Sequence, residues 1–193
     1  MKEVKLKTPL KEEDIRDLKI GDVVYISGYI CTSRDMGHLK MKEVVEEGEK
    51  LPVDLNGGVI FHAGPVVKKI DSGYELRVIG PTTSIRMEFH SDFIGNLGVK
   101  MIVGKGGMDE GTSKALQKYG MAYLQAPPGC AVVLGEKVEQ IENVFWMELG
   151  VPEALWVLKV NEFGPLVVGM DSSGNSIYRD IKENGKKLIE KMY

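Results

Sequence analysis

The stretch YELRVIGPTTSIRMEFHSDFIGNLGVKMIVGKGGMDEGTSKALQKYGMAYL, residues 74–124, decides the fold class. Tyr74 to Ile79 reads as a strand, and Gly80-Pro81 ends it. Thr82-Thr83-Ser84 offers three successive hydroxyl caps to a helix from about Ile85 to Leu97. Lys100 to Val103 is a second strand, Gly104 to Gly107 a tight loop, Asp109 to Tyr119 a second helix, and Met121 to Leu124 a third strand. Strand, glycine loop and helix therefore alternate twice in succession. That beat predicts an α/β architecture with parallel or mixed strands and flanking helices.

The pattern extends in both directions. Upstream, Val4 to Leu6 alternates like an edge strand, and Lys11 to Lys19 is charged, with Ile15 and Leu18 at helical spacing. Val23 to Ile30 is β-branched and aromatic, as strands are. Asp35 to Glu47 reads as a helix, with Ser33 or Asp35 as its N-cap. Asn56-Gly57-Gly58 turns into the short buried strand Val59 to Phe61, and Asp71-Ser72-Gly73 is another turn. Downstream of Pro127-Pro128-Gly129, Cys130 to Val138 is apolar and fits helix or strand. Leu155 to Val160 and Leu166 to Met170 are strand-like, and Ile177 leads into an amphipathic helix, Ile181 to Met192. No repeat or linker interrupts the chain, so residues 1–193 read as a single domain.

Composition narrows the function classes. With 43% hydrophobic and 27% charged residues among 193, the chain has the make-up of a globular protein, not of a disordered one. Lys plus Arg total 25 against 28 Asp plus Glu, a net charge of -3, which gives no electrostatic reason to bind nucleic acid or an anionic membrane. Two cysteines, Cys31 and Cys130, make neither a disulfide framework nor a zinc ribbon. An iron–sulfur cluster normally takes three or four thiolates, so this chain would not hold one alone. His38, His62 and His90 are too far apart for a zinc-binding helix motif. No apolar run reaches the roughly 18 to 20 residues of a membrane span, and the first residues lack a signal-peptide core. A soluble, cytoplasmic protein is expected.

Chemistry in open α/β sheets sits beyond the carboxyl ends of strands. Three polar segments fall there: Thr32-Ser33-Arg34-Asp35, Gly80-Pro-Thr-Thr-Ser-Ile-Arg86 and Gly104-Lys105-Gly-Gly-Met108. Each brings one cation: Arg34, Arg86 and Lys105. Arginine forks and a lysine charge beside helix N-termini suit a small ligand with two negative ends, either a dicarboxylate or a phosphorylated metabolite. The plainer readings are helix capping by Thr82 to Ser84 and a surface pair of Arg34 with Asp35. Lys105 does not belong to a P-loop, because Val99 and Gly106 stand where that motif needs Gly and Ser or Thr. His38 is one turn beyond Arg34 and can face the same pocket, His62 fits a ligand contact or a hydrogen-bonded wall, and His90 is placed on the outer face of its helix.

The blocks Ser27-Gly28-Tyr-Ile-Cys-Thr-Ser-Arg34-Asp35-Met-Gly-His38, Phe61-His-Ala-Gly64-Pro65, Gly80-Pro-Thr-Thr-Ser-Ile-Arg86-Met87 and Gly104-Lys-Gly-Gly-Met108 occur in this order. Together they resemble the β subunit, or C-terminal domain, of class I fumarate hydratases and the related L(+)-tartrate dehydratases, from about Leu6 to Tyr178. The resemblance implies a swivelling β/β/α domain. It also implies a partner, an α subunit holding a [4Fe–4S] cluster through three cysteines, in a hetero-oligomer; a homodimer is the other assembly expected. By motif, Arg34, Arg86 and Lys105 would bind the carboxylates of a small dicarboxylate. Thr82 would take the proton from C3 of malate, and Thr83 would be a neighbouring contact. The implied reaction is reversible addition of water across a C=C bond, with the cluster's open iron acting on the hydroxyl. A threonine hydroxyl has a pKa far above neutrality, so such a base needs strong local positive potential. The readings outside fumarate hydratase are tartrate or another dicarboxylate hydro-lyase and a non-catalytic small-anion or assembly module.

Overall fold

Val59-Ile60-Phe61, Met101-Ile102-Val103 and Ala122-Tyr123-Leu124 are apolar at every position because both faces of these strands are covered. In the computed structural model, which describes residues 1–71 and 73–192, successive side chains alternate between two clusters. Val59, Phe61, Met101, Val103, Ala122 and Leu124 enter one cluster, and Ile60, Ile102 and Tyr123 enter the other. Ser72 of the expected turn lies outside the described residues.

The elements are β1 (Glu3–Lys7), α1 (Glu12–Arg16), β2 (Val23–Thr32), α2 (Asp35–Glu46), β3 (Val59–Phe61), β4 (Ala63–Ile70), β5 (Gly73–Pro81), a 3-10 segment Ser84–His90, α3 (Ser91–Asn96), β6 (Met101–Gly104), α4 (Glu110–Tyr119), β7 (Ala122–Gln125), α5 (Ala131–Glu136), β8 (Val138–Phe145), β9 (Leu155–Met170) and α6 (Ile177–Glu190). β1, β2, β3, β6 and β7 are parallel and adjacent in that order. β9 runs antiparallel to β7 and also returns to β2, so the pairings β2–β3–β6–β7–β9 close into a ring. β8 adds to β9 outside that ring. This is a mixed sheet, and helices flank it.

The inner cluster fills the ring with Phe61, Phe163, Trp156 and Leu158, and the antiparallel β4–β5 hairpin covers it with Ile79. Phe61 and Phe163 meet edge to face at 5.3 Å, and Tyr74 meets Trp156 in the same way at 5.3 Å. The outer cluster packs Met41 of α2, Ile94 of α3 and Leu116 of α4 on Ile60, Ile102 and Tyr123. Gly120 ends α4 in the left-handed region at φ 60°, where glycine has no Cβ penalty.

Several expectations need correction. The Tyr74 to Ile79 strand belongs to the β4–β5 hairpin and not to the parallel sheet, so the parallel series passes from β3 to β6 to β7. The helix expected over Ile85 to Leu97 is a 3-10 segment followed by the short α3. Neither Ser33 nor Asp35 caps α2; Arg34 occupies the N-cap without a side-chain bond, and Thr83 likewise precedes the 3-10 segment. Leu155 to Val160 and Leu166 to Met170 are one strand, because register shifts in the β2–β9 ladder let it continue through Asn161 to Pro165. α6 starts at Ile177, where Ser176 accepts a bond from the Arg179 N–H at 3.3 Å.

The alternation along β9 generates a stability test. Leu158 is fully buried in the ring, whereas its neighbour Lys159 is exposed and pairs with Glu139. Leu158→Ala is expected to lower the unfolding free energy by about 2–5 kcal/mol. Lys159→Ala should lower it by about 1 kcal/mol or less. Urea denaturation of both variants checks the difference.

Candidate active site

Parallel pairing places three strand ends side by side. Thr32 is opposite Phe61 and Phe61 is opposite Val103, so β2, β3 and β6 finish at one level. The ladder continues one step into the loops, with Ser33 N–H on Phe61 O at 3.1 Å and His62 N–H on Val103 O at 2.8 Å. The chain leaving β5 is tied to the same edge. Thr82 N–H donates to His62 O at 2.7 Å, Ser84 N–H donates to Lys105 O at 3.1 Å, and Thr83 bridges Lys105 in parallel. The structure therefore brings together the loops that carry Arg34, Thr82, Thr83, Arg86 and Lys105.

Side chains tighten the arrangement. The Arg86 guanidinium grips the Asp35 carboxylate through Nε at 3.1 Å and Nη2 at 2.8 Å, and Nη2 also donates to Thr82 Oγ1 at 3.1 Å. Burial pushes the Asp35 carboxyl up, but the Arg86 hydrogen bonds and charge more than offset this, so its pKa lies below the ordinary value. Arg34 Nε lies 3.1 Å from Glu153 Oε1, an ion pair by distance whose angle makes no hydrogen bond. The other Glu153 oxygen accepts from Met36 N–H at 3.0 Å. Lys105 is half-buried and has no ion pair among the described residues. Gly106 and Gly107, at φ 81° and 77°, turn the chain away directly after it. The loops thus bring three cations and two carboxylates to one edge of the sheet, a local excess of one positive charge.

All three histidines gather behind this cluster. His38 and His62 are fully buried, with ring centroids 5.3 Å apart, and His90 stacks on His38 at 5.2 Å. His38 does not open onto a pocket but is fully buried against the Arg34 peptide, and His90 does not lie on an outer face. The reason is the helix type. In a 3-10 segment every third residue lines up, so His90 shares a face with the buried Ser84 and Met87, whereas α-helical spacing would rotate it away. Burial pushes His38 down to about 4, and burial followed by the charges of His38, His90 and Arg86 pushes His62 well below its usual value.

The cysteines do not form a metal site. Cys31 is buried in the outer cluster with its thiol pushed up to about 12 by burial, and Cys130 packs against the inner one. Among the described residues no three His, Cys, Asp or Glu side chains are placed to hold a metal. The described residues thus do not fit an iron–sulfur cluster. No helix among them is long and apolar enough to cross a membrane. A cavity of about 700 Å³ lies beside α6 and takes in Gly106, Gly107 and Tyr178 but none of the five candidate residues.

A family model described as "Fumarase C-terminus" matches residues 1–181. The chain belongs to this family. It is 48% identical over 185 residues to a Methanocaldococcus jannaschii protein named "Putative L(+)-tartrate dehydratase subunit beta", covering 95% of this chain and 93% of the relative. It is 47% identical to the L(+)-tartrate dehydratase subunit beta of Escherichia coli K12, covering 96% and 90%. A Geobacillus stearothermophilus protein named "Putative fumarate hydratase class I" is 43% identical over 191 residues, covering 98% of this chain and 35% of that longer relative.

Burying neutral imidazoles gives the fold a pH signature. An ordinary histidine titrates near 6.5 and His38 in the fold near 4, so between these values the unfolded chain binds the extra proton. Its contribution is complete above pH 6.5 and is lost as pH falls toward 4. Urea titrations across this window are expected to show stability falling by about 1.4 kcal/mol per pH unit from His38 alone. His38→Asn should flatten that slope.

Proposed function

We propose that this chain is the β subunit of a two-subunit hydro-lyase that removes water from, or adds it to, a small dicarboxylic acid. The observation that carries the reading is the meeting, at one edge of the sheet, of the loops that carry Arg34, Arg86 and Lys105 with the Thr82–Thr83 segment, in a chain of the Fumarase C-terminus family. Arginine forks and a lysine ammonium match two carboxylates, and the geometry favours this over a scaffold with no ligand.

On this reading Arg34, Arg86 and Lys105 hold the substrate carboxylates, and Asp35 and Glu153 hold the two arginines in place until the ligand arrives. Thr83 is a further contact. Thr82 is the proton acceptor. Its Oγ1 already accepts from Arg86 Nη2 at 3.1 Å, so the positive charge that an alkoxide would need is in direct contact. Dehydration then breaks the C–H bond at C3 with its proton passing to Thr82, the electron pair left behind forms the C=C bond, and the hydroxyl departs with its own bonding pair and takes up one proton to become water, so that H+ and OH− leave the diacid in equal number. A [4Fe–4S] cluster would be held by the α subunit, since Cys31 and Cys130 here pack into separate apolar clusters. The layers then correspond to the swivelling β/β/α domain.

L-malate and fumarate are the first substrate pair. Tartrate is the second reading, favoured by the relatives at 47–48% identity that carry its name. Both are four-carbon diacids, and the groups of this chain grip only the carboxylates.

Co-expression with a cluster-bearing α subunit and anaerobic assay with malate, fumarate and L(+)-tartrate tests the assignment. Turnover of one of these by the pair, and none by this chain alone, is expected. Arg86→Lys keeps the charge but loses the fork, so kcat/KM should fall by roughly ten- to a hundredfold, the loss of a charge-assisted bond of about 1.5–3 kcal/mol. Activity of this chain alone, or an unchanged Arg86→Lys complex, would contradict the proposal.

A further inference from the structure

Three buried side-chain polar atoms among the described residues have no hydrogen-bond partner: Arg34 Nε, which still faces Glu153, and Nε2 of His38 and of His62, which face no charge partner. Both rings are fully buried, and each is held through its other nitrogen. His38 Nδ1 lies 2.8 Å from the Arg34 carbonyl oxygen and 2.9 Å from Ser33 Oγ. A carbonyl only accepts, so Nδ1 carries the hydrogen and Nε2 is a bare lone pair. His62 Nδ1 lies 3.0 Å from Ser84 Oγ. Ser84 Oγ accepts from the Tyr123 hydroxyl at 3.1 Å, and that hydroxyl accepts from Gly107 N–H at 3.3 Å. Ser84 Oγ can accept from two donors at once, so the Tyr123 bond leaves the direction of the Ser84–His62 bond free; giving the Ser84 proton to His62 Nδ1, the acceptor it meets at 3.0 Å, puts the ring hydrogen on Nε2.

On that assignment the two rings present opposite tautomers, and each one holds a different loop of the candidate site. His62 pins the Thr82–Ser84 segment at both ends, through its carbonyl on Thr82 N–H at 2.7 Å and its ring on Ser84 Oγ. Gly104 leaves room for that second bond, because a Cβ there would collide with Ser84 Oγ and press on His62 Nδ1. His38 pins the Arg34 peptide, and the two rings abut edge to face. A charged imidazole would upset both, and burial disfavours the charged form of each.

We propose that His62 and His38 are positioning residues of the candidate active site, His62 as the Nε2–H tautomer that sets Thr82 and His38 as the Nδ1–H tautomer that sets Arg34. The kinetic consequence rests on the hydro-lyase reading; the tautomer assignment does not. Misplacing the proton acceptor slows the chemical step, whereas misplacing a carboxylate grip weakens binding.

The test has two arms. Nitrogen-15 NMR of the histidine rings in the full chain at neutral pH should show the opposite tautomers just named, both neutral. Imidazolium signals or exchanged tautomers would overturn the assignment. In the complex with the α subunit, His62→Leu should lower kcat about tenfold or more with KM changed much less, and His62→Asn, whose amide reproduces Nδ1, should restore it. His38→Leu should instead raise KM, again with rescue by Asn. Equal kcat in wild type, His62→Leu and His62→Asn would overturn the positioning role. Where His62→Leu fails to fold, Ser84→Ala removes the same hydrogen bond while the ring stays in place, and a wild-type kcat in that variant would also overturn it. A wild-type complex inactive on every diacid counts against the functional reading, and the tautomer arm then decides the assignment by itself.

Discussion

The parallel register of β2, β3 and β6 is the constraint on which the rest depends. Because Thr32, Phe61 and Val103 stand level, the residues that follow them emerge at one edge within hydrogen-bonding reach. Moving any of these strands by one residue would turn its buried side chains to the wrong cluster, so the register is enforced by both faces at once. The apolar alternation that fills the ring also aims Arg34, His62 and Lys105. Packing and site geometry are therefore not separate properties here. A truncation of Phe61 would weaken the fold and loosen the loop that holds Thr82, because His62, the next residue, binds Thr82 N–H through its carbonyl.

Charge is arranged in a second tier on that frame. Left unpaired, Arg34 and Arg86 would sample many rotamers and repel each other. Glu153 and Asp35 restrict them, and Asp35 joins the start of α2 to the segment after β5 through a two-point grip. These pairs are partly exposed, so they add little to stability. Their effect is on orientation. Donors fixed before a ligand arrives need not reorganise when it binds, and that is where electrostatic binding sites gain most.

Much of this was legible in the sequence, and what was missed has identifiable causes. Loops after apolar strands, each with one cation, marked Arg34, Arg86 and Lys105 without any structure. β4 escaped because AGPVVKKI begins with a Gly-Pro pair and ends in lysines, the composition of an edge hairpin and not of a core strand. β8 escaped because VEQIENVF has polar residues between its apolar ones and is only half covered. The two halves of β9 were read separately because Gly164-Pro165 looks like a break, and nothing local shows that β2 will bridge it. The histidine cluster was the largest omission. His38, His62 and His90 are far apart in sequence, and their meeting needs both the level strand ends and a 3-10 twist that residue type does not announce.

That omission bears on how the site keeps its charge. Three imidazoles behind three cations would make a crowded positive centre if any were protonated at neutral pH. Burial is the first cause that holds His38 and His62 neutral, and for His62 the neighbouring rings and Arg86 act in the same direction. The cluster's charge is then set by arginine, lysine and two carboxylates alone, and it does not drift as pH moves through the physiological range. A threonine beside such a centre feels a steady positive potential, with Arg86 Nη2 in direct contact with its oxygen. Had the buried rings been solvated, they would titrate near neutrality, and a proton acquired there would compete with the incoming diacid for the same field. Dryness behind the site is thus what lets a fixed set of charges in front of it define the chemistry.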